Sequence, residues 1–400
     1  MKAVPASGVW HCIESSGDLF RKHRTSLPPP LPYSLRPSGL LAGSRYHHHH
    51  PLQIIPCLAM DAPKGYRKPS HGVFRFIPDA WVPYAELMRL DRPSGFWAFY
   101  WHYLIGIGFA INIQPFSSDL DLVSLALLAG YLGLWTTIFR GITCTWNDNL
   151  DQDFDRQVAR CRVRPIPRGA VTTMQAHFFT AVLLAAGACI IYPYGQSTLI
   201  HAAVDSVLLF IYPLLKRCTD FPQVELGFGL SYAIFLVAAS VGKDPLAPLL
   251  DSSLDLSTRV SKVVESPLAQ SAACLYVAGI IWSVIFDTIY AHQDYVDDLK
   301  AGVKGLAVRL GRKGTKPACY VLGAVQIYCL TLAGQLASFG LPYYLVSCGA
   351  TACMLAWMIW VTVLEDGASC AWAFGPGSAY VGASISTGLM AEFWWRKYGF

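Results

Sequence analysis

The chain has 400 residues, of which 54% are hydrophobic and only 14% are charged, and its formal net charge is +5. Soluble globular domains are about 25% charged, so this composition excludes a disordered chain, an ordinary soluble enzyme and a nucleic-acid-binding module. A helical protein that crosses a membrane several times remains, because each apolar segment in lipid must satisfy its own backbone hydrogen bonds.

The first eighty residues differ from the rest of the chain. They contain runs of prolines and histidines, scattered basic residues, and no apolar stretch long enough to span a membrane. We predict a disordered, low-complexity extension over 1–80 and a polytopic domain over 81–400. Arginines mixed with serines would suit a mitochondrial presequence, but Glu14 and Asp18 lie where such peptides avoid acids.

From Gly95 onward, long apolar runs alternate with short polar gaps. Each run is close to the roughly twenty residues that a helix needs to cross a bilayer. The nine predicted spans cover residues 95–113, 122–145, 173–192, 197–214, 225–242, 269–290, 317–337, 342–363 and 376–395. Because the connections are short, we predict an all-α membrane protein whose antiparallel helices form one bundle.

The polar gaps between these spans are charged asymmetrically. The gaps at 146–172 and 291–316 are rich in Lys and Arg, whereas those at 114–121, 193–196 and 338–341 contain neither. By the positive-inside rule, the basic side and the N-terminus face the cytoplasm, or the matrix of an organelle. Both basic gaps are therefore predicted to lie on the same membrane face.

The two basic gaps also contain two acidic clusters. In helical extensions of the preceding spans, Asp148, Asp151 and Asp155 would fall at i, i+3 and i+7, and Asp294 and Asp298 at i and i+4. A single cluster would most simply be a solvated face. Two such faces on one side of a bundle would repel each other unless cations lay between them, and Mg²⁺ bridging carboxylates to substrate phosphates fits this pattern.

These residues resemble the signatures of the UbiA superfamily of intramembrane aromatic prenyltransferases. The family's NDxxDxxxD signature matches residues 147–155, and its DxxxD signature, within a YxxQDxxDDxxxGVK context, matches residues 290–304. Its RLDxPxG element matches 89–95, and its YPxxKR element matches 212–217. The resemblance covers about residues 85–395, and both Asp signatures occur in the expected order.

The resemblance implies that an aromatic ring is alkylated by an allylic diphosphate, with Mg²⁺ stabilising the departing pyrophosphate. The substrates implied are an isoprenoid diphosphate and an aromatic acceptor, reached within the lipid bilayer. The candidate site residues are, for metal binding and catalysis, Asp148, Asp151, Asp155, Asp294 and Asp298; for diphosphate binding, Asn147, Arg156, Arg164, Lys216, Arg217 and Lys300; and for orienting the acceptor, Tyr290 and Asp91. The chain departs from the family at Gly305, where Ser is common, and in its last span; these differences bear on the choice of acceptor.

Two other functions fit the sequence less well. An ion-coupled transporter would carry its acids in mid-span, yet here they cluster at one end and only Asp205 stands out in mid-span. Nine spans exclude the fold of a soluble terpene synthase.

Within the family, two reactions remain open. Transfer of a farnesyl group to a phenolic polyketide in fungal meroterpenoid metabolism implies an endomembrane enzyme, and the Pro-rich N-terminus and the last span favour it. Transfer of a polyprenyl chain to 4-hydroxybenzoate in ubiquinone biosynthesis implies the mitochondrial inner membrane.

Overall fold

The computed structural model describes residues 66–113 and 122–399, without the side chain of Lys216. These residues form helices and connections and contain no β-strand. The α-helices are α1 (Val82–Leu87), α2 (Pro93–Asn112), α3 (Leu122–Leu150), α4 (Gln152–Asp155), α5 (Thr173–Ile191), α6 (Gln196–Cys218), α7 (Pro222–Ser240), α8 (Ala247–Leu250), α9 (Leu256–Val264), α10 (Pro267–Ala291), α11 (Tyr295–Ala301), α12 (Leu306–Leu336), α13 (Thr351–Val361), α14 (Gly367–Trp372) and α15 (Ser378–Tyr398). Two π-helical segments, Tyr343–Ala350 and Ala373–Gly377, lead directly into α13 and α15.

Seven of the described helices are long and apolar enough to cross a membrane: α3, α5, α6, α7, α10, α12, and α13 with its π-helical start. The other two predicted spans correspond to α2 and α15, which have 20 and 21 residues. Helix α2 packs against α7 and α15 inside the bundle. The all-α membrane bundle predicted from the sequence is confirmed.

The helices differ in how much of their surface the bundle covers. At its centre, α7 and α10 bury large side chains such as Leu230, Trp282 and Phe286. Their backbones approach closely, since a Cβ at Gly227 would lie 2.9 Å from the carbonyl oxygen of Ile280; small residues allow such packing in membranes. The outer helices α3 and α5 expose apolar side chains, as is expected of surfaces that face lipid.

Two helical turns continue the long helices at one end of the bundle. After α3 ends, backbone hydrogen bonds still run from Asp151 N to Asn147 O and from Asp155 N to Asp151 O, each 2.9 Å long. After α10, the chain forms α11, which ends at Gly302 in the left-handed conformation with φ of 70°. Both helical extensions that the acidic spacings required are therefore present.

Residues just before α1 contact the helical domain. The hydroxyl of Tyr66 donates to Glu86 Oε1 at 2.9 Å, and Phe74 is buried. Residues 66–80, which the sequence analysis assigned to the extension, thus pack against the folded part. Residues 1–65 lie outside the described part of the chain, and the domain boundary stays a prediction.

Candidate active site

A cavity of about 530 Å³ is lined by the ends of α2, α3, α7 and α10 and by the two basic connections. Residues that lie one to two turns inside the helices give it an apolar part, which includes Phe99, Leu209, Leu226, Leu230 and Phe286. Arg140, from within α3, adds a charge to the cavity. The connections and helix ends supply its other charged residues, which are Arg89, Arg92, Arg160, Arg164, Lys304, Asp151, Asp155, Asp287, Asp294 and Asp298. The cavity therefore offers separate places for a charged group and for an apolar one.

The first acidic motif turns one face of its helix to this cavity. Asn147, Asp151 and Asp155, spaced four residues apart, all line it. Asp148 does not line it: its side chain is fully buried, and Oδ1 accepts from Arg89 at 2.5 Å and from Arg164 at 3.1 Å. Helix rotation alone does not separate Asp148 from Asp155, which lie only about 20° apart on an ideal helix; the ion pairs with Arg89 and Arg164 hold the Asp148 carboxylate in the protein interior. Asp148, predicted as a metal ligand, forms a buried ion-pair cluster with Arg89 and Arg164, and its binding of a metal stays a prediction.

The second acidic motif comes to the same cavity. Asp294 and Asp298 line it, one turn of α11 apart. Arg160, from the first basic connection, reaches across to Asp294 and donates from Nε to Oδ1 at 3.0 Å and from Nη2 to Oδ2 at 2.5 Å. This contact joins the two connections at one end of the bundle, which confirms that both Asp-rich motifs lie on one face.

The basic residues predicted to bind diphosphate are placed less uniformly. Arg164 lines the cavity. Arg156 and Lys300 have exposed side chains outside the cavity lining. Arg217 also lies outside the lining, and the side chain of Lys216 is not among those described. Instead, Arg160 and Lys304, which the sequence analysis did not assign to diphosphate, line the cavity.

Ion pairs keep the arginines of the site charged. Burial alone would lower the pKa of Arg160, but its hydrogen bonds to Asp294 raise that pKa above the usual value. Burial opposes the charge of Arg164 as well, and the neighbouring carboxylates of Asp148 and Asp155 hold its pKa well above the ordinary range. The positive charges of Arg160 and Arg164 therefore offset the carboxylates that face the cavity.

Sequence reasoning missed Arg140, although it lies seven residues before Asn147 and so on nearly the same face of α3. Its guanidinium donates from Nη1 to Arg89 O at 3.0 Å and from Nη2 to Arg92 O at 2.8 Å. No ion pair joins it to a carboxylate within the described ranges. Gly95 leaves it room, since a Cβ there would lie 2.5 Å from Nη2. Arg140 is therefore a buried cation that lines the cavity and pairs with none of the carboxylates that the structure describes.

The two residues predicted to orient the acceptor differ in position. Tyr290 lines the cavity, where its ring centroid lies 4.2 Å from that of Phe374 and its hydroxyl accepts from Arg160 Nη1 at 3.4 Å. Asp91 is outside the lining, and its Oδ2 accepts from Arg92 at 3.2 Å. Tyr290 thus offers an aromatic face to the cavity, whereas Asp91 contacts it only through Arg92.

The donor atoms around the cavity suit a hard cation. Asn147, Asp151, Asp155, Asp294 and Asp298 supply only oxygen ligands. In the part of the chain that the structure describes, no three acidic, His or Cys side chains form a closed metal cluster. Mg²⁺ in phosphate-binding enzymes is usually held by one or two carboxylates together with the phosphates themselves. An open arrangement of carboxylates therefore fits Mg²⁺ that arrives with a diphosphate.

Comparison with known proteins adds a family match. The model of the UbiA prenyltransferase family matches residues 97–385. The chain is 36% identical to the prenyltransferase ascA of Acremonium egyptiacum, over 78% of this chain and 82% of the relative. It is 34% identical to 4-hydroxybenzoate geranyltransferase 1 of Lithospermum erythrorhizon, over 79% of this chain and 92% of that protein.

Solved structures share the fold. A UbiA homologue from Aeropyrum pernix superposes with a TM-score of 0.55 at 20% identity, over 74% of this chain and 97% of the homologue. A UbiA homologue from Archaeoglobus fulgidus, bound to GPP and Mg²⁺, gives a TM-score of 0.50 at 16% identity, over 77% of this chain and 99% of that one.

Proposed function

The chain belongs to the UbiA prenyltransferase family, and on that premise we propose that it transfers a farnesyl group to a phenolic acid. Members of this family are multi-pass membrane enzymes that transfer prenyl groups, and this chain is one of them. The observation that carries the proposal is one cavity that combines facing acidic motifs, an apolar interior and a buried arginine, Arg140, that donates to backbone carbonyls.

The acidic end of the cavity suits the diphosphate. Asn147, Asp151 and Asp155 from one side, and Asp294 and Asp298 from the other, would hold Mg²⁺ against its oxygens. When bound, Mg²⁺ supplies positive charge that stabilises the departing pyrophosphate. Arg160, Arg164 and Lys304 line the same end and can contact the remaining phosphate oxygens. Compared with the set predicted from the sequence, this set adds Arg160 and Lys304 and leaves out Asp148, Arg156, Lys216, Arg217 and Lys300.

The apolar part of the cavity suits the prenyl chain and the cation that forms on it. When the bond between the allylic carbon and the diphosphate oxygen breaks, positive charge develops on that carbon. The faces of Tyr290 and Phe374 line the cavity and can stabilise this charge. Apolar side chains deeper in the bundle exclude the water that would otherwise capture the cation.

Arg140 supports an acidic acceptor. Among the described residues, its guanidinium donates to two backbone carbonyls and to no carboxylate. It therefore keeps the capacity to pair with a carboxylate, and such pairs are strong and directional. An aromatic acid whose carboxylate binds Arg140 would place its ring between that residue and the acidic end of the cavity. One relative is named for 4-hydroxybenzoate, which is an aromatic acid of this kind.

The prenyl chain and the location follow from the choice of acceptor. We propose a farnesyl group, a phenolic polyketide acid and an endomembrane location, as in fungal meroterpenoid synthesis. The alternative is 4-hydroxybenzoate with a longer chain, in the mitochondrial inner membrane. The prenyltransferase ascA and 4-hydroxybenzoate geranyltransferase 1 match the chain at similar identity.

A microsomal assay tests the proposal. Membranes that contain the protein are given geranyl, farnesyl or a longer polyprenyl diphosphate, together with an orsellinic-type acid, its decarboxylated phenol or 4-hydroxybenzoate. We expect farnesyl transfer to the phenolic acid, none to the decarboxylated phenol, and complete loss when EDTA removes Mg²⁺. Equal use of acid and phenol would contradict the role of Arg140, and preference for 4-hydroxybenzoate with the longest chain would favour the alternative.

Gly95→Ala should weaken the acceptor selectively. The new Cβ would collide with Arg140 Nη2, and a hydrogen bond to a charged group contributes about 1.5–3 kcal/mol. We therefore expect the KM for the acid to rise by about 10- to 100-fold while the KM for the prenyl diphosphate stays nearly constant. Gly130→Ala is the matched control, because its Cβ would meet nothing within 4 Å. Steady-state kinetics in membranes measure both constants, and an unchanged acceptor KM in Gly95→Ala would refute the contact.

A further inference from the structure

Arg217 at the end of α6 contacts the turn that carries the first acidic motif. Nη1 and Nη2 donate to the two carboxylate oxygens of Asp153 at 2.9 and 2.7 Å. Nη2 also donates to the carbonyl oxygen of Leu150 at 2.8 Å, and the guanidinium carbon lies 4.6 Å from the ring centroid of Phe154. One side chain thus contacts three residues within this turn.

These three contacts surround the residues that face the cavity. Leu150 and Asp153 flank Asp151 on either side, and Phe154 directly precedes Asp155. Asp151, Phe154 and Asp155 line the cavity, whereas Arg217 and Asp153 do not. The guanidinium therefore fixes the outer side of the turn whose inner side carries the carboxylates.

We propose that Arg217 is a positioning residue, which holds the turn from Leu150 to Asp155 against α6 through Asp153 and so aims Asp151 and Asp155 into the cavity. The proposal rests on the proposed function and replaces the direct diphosphate contact expected of Arg217 from the sequence. Its carboxylate partner, Asp153, is not one of the signature acids of the first motif.

The geometry favours a positioning role for Arg217 over phosphate binding. A planar guanidinium that forms a fork with a carboxylate is held in one orientation, and its remaining contact is to a carbonyl at the end of α3, where the helix dipole is negative. A diphosphate would have to displace Asp153 to bind this fork. The side chains of Arg217 and Asp153 are 37% and 53% exposed, so the pair adds little to global stability, and its loss should loosen the turn without unfolding the protein.

The two roles predict opposite results for Asp153. If Arg217 positions the turn, then Asp153→Ala removes the carboxylate fork that Arg217→Ala also removes, and the double variant is no worse than Arg217→Ala. If Arg217 binds the diphosphate, Asp153 only competes with the diphosphate for the guanidinium. Removing Asp153 then leaves catalysis unharmed.

The experiment compares Arg217→Ala, Asp153→Ala and the double variant of the full chain. The first readout is hydrogen exchange of peptides covering 147–156 in the purified protein without substrate or Mg²⁺, and we expect faster exchange in all three variants. The second is turnover in membranes, where we expect kcat to fall by about 10- to 100-fold in each, as for a small misplacement of catalytic groups. The Mg²⁺ concentration for half-maximal activity should rise alike in all three.

Arg309→Ala is the matched control. Arg309 also forms an Arg–Asp pair, with Asp220 at 3.0 Å, and its guanidinium likewise lies over an aromatic ring, that of Phe221. It does not contact the 150–155 turn, so exchange at 147–156 and kcat should stay close to those of the unmodified protein.

Wild-type exchange and turnover in Asp153→Ala, together with a raised prenyl diphosphate KM in Arg217→Ala, would overturn the positioning role. Unchanged exchange at 147–156 in both single variants would overturn it as well. Because exchange is measured without substrate, it tests whether Arg217 holds the turn even if the chain uses none of the proposed substrates.

Discussion

Asp294→Ala is expected to abolish prenyl transfer, with kcat lowered by at least about 10²- to 10³-fold, the scale of losing one preorganised electrostatic contact to the developing charge. Asp294 lines the cavity and accepts the fork of Arg160. The substitution removes an oxygen ligand from the second motif and leaves the positive charge of Arg160 without its partner. Because the side chains of Arg160 and Asp294 are 32% and 14% exposed, water can solvate the remaining guanidinium, and the protein should still fold.

Turnover at saturating Mg²⁺ and the amount of folded protein in the membrane measure the two effects separately. Asp297→Ala is the control, because Asp297 lies in the same helical turn but outside the cavity lining, where its Oδ2 accepts from Ala159 N at 3.3 Å. We expect a far smaller loss there. Near-normal turnover in Asp294→Ala would show that the second motif is a solvated face and would remove the basis for a two-motif site.

The sequence predicted the bundle well because the signals for it are local. Runs of apolar residues set the helices, and the distribution of Lys and Arg placed both acidic motifs at one end. Four-residue spacing also brought Asp294 and Asp298 to one face correctly. Each of these features depends on residues close together in the chain, so periodicity is enough to find them.

Which acids face the cavity could not be predicted in the same way. The spacing of Asp148, Asp151 and Asp155 is compatible with one helix face, but the rotation of that face is set by partners far away in the chain. Arg89, 59 residues from Asp148, turns that carboxylate inward. Arg217, 64 residues from Asp153, binds that carboxylate on the outer side of the turn. Periodicity shows that side chains share a helix face, but it does not show which residues or cavity that face contacts.

The role of Arg140 was hidden for a related reason. A lone arginine within an apolar span is an unusual feature, and the sequence shows that it lies seven residues before Asn147. Its meaning depends on Gly95, which comes from another helix and makes room for the guanidinium. Such a pair is visible only when both helices are in place.

Asp148→Ala should destabilise the protein more than any other substitution in the site. Its carboxylate is fully buried and accepts from both Arg89 and Arg164. Breaking a buried ion pair by removing one partner typically costs about 3–5 kcal/mol, because the remaining charge stays buried without compensation. Arg89 would keep only a weak contact to the carbonyl oxygen of Glu86 at 3.2 Å, whereas Arg164 would keep Asp155.

The matched variants separate this structural role from metal binding. Asp148→Asn keeps an oxygen acceptor for both arginines and should lose much less stability, while Arg89→Ala added to Asp148→Ala removes the charge left without a partner and should restore part of the loss. Thermal unfolding in detergent measures stability, and kcat per folded molecule together with the Mg²⁺ requirement measures catalysis.

If Asp148 acts only in the ion-pair cluster, its substitution lowers the melting temperature, and the Mg²⁺ concentration for half-maximal activity shifts far less than in Asp151→Ala. The reverse pattern, with normal stability and a raised Mg²⁺ requirement, would return Asp148 to the metal ligands, because a carboxylate that binds Mg²⁺ must leave its arginines when the ion arrives.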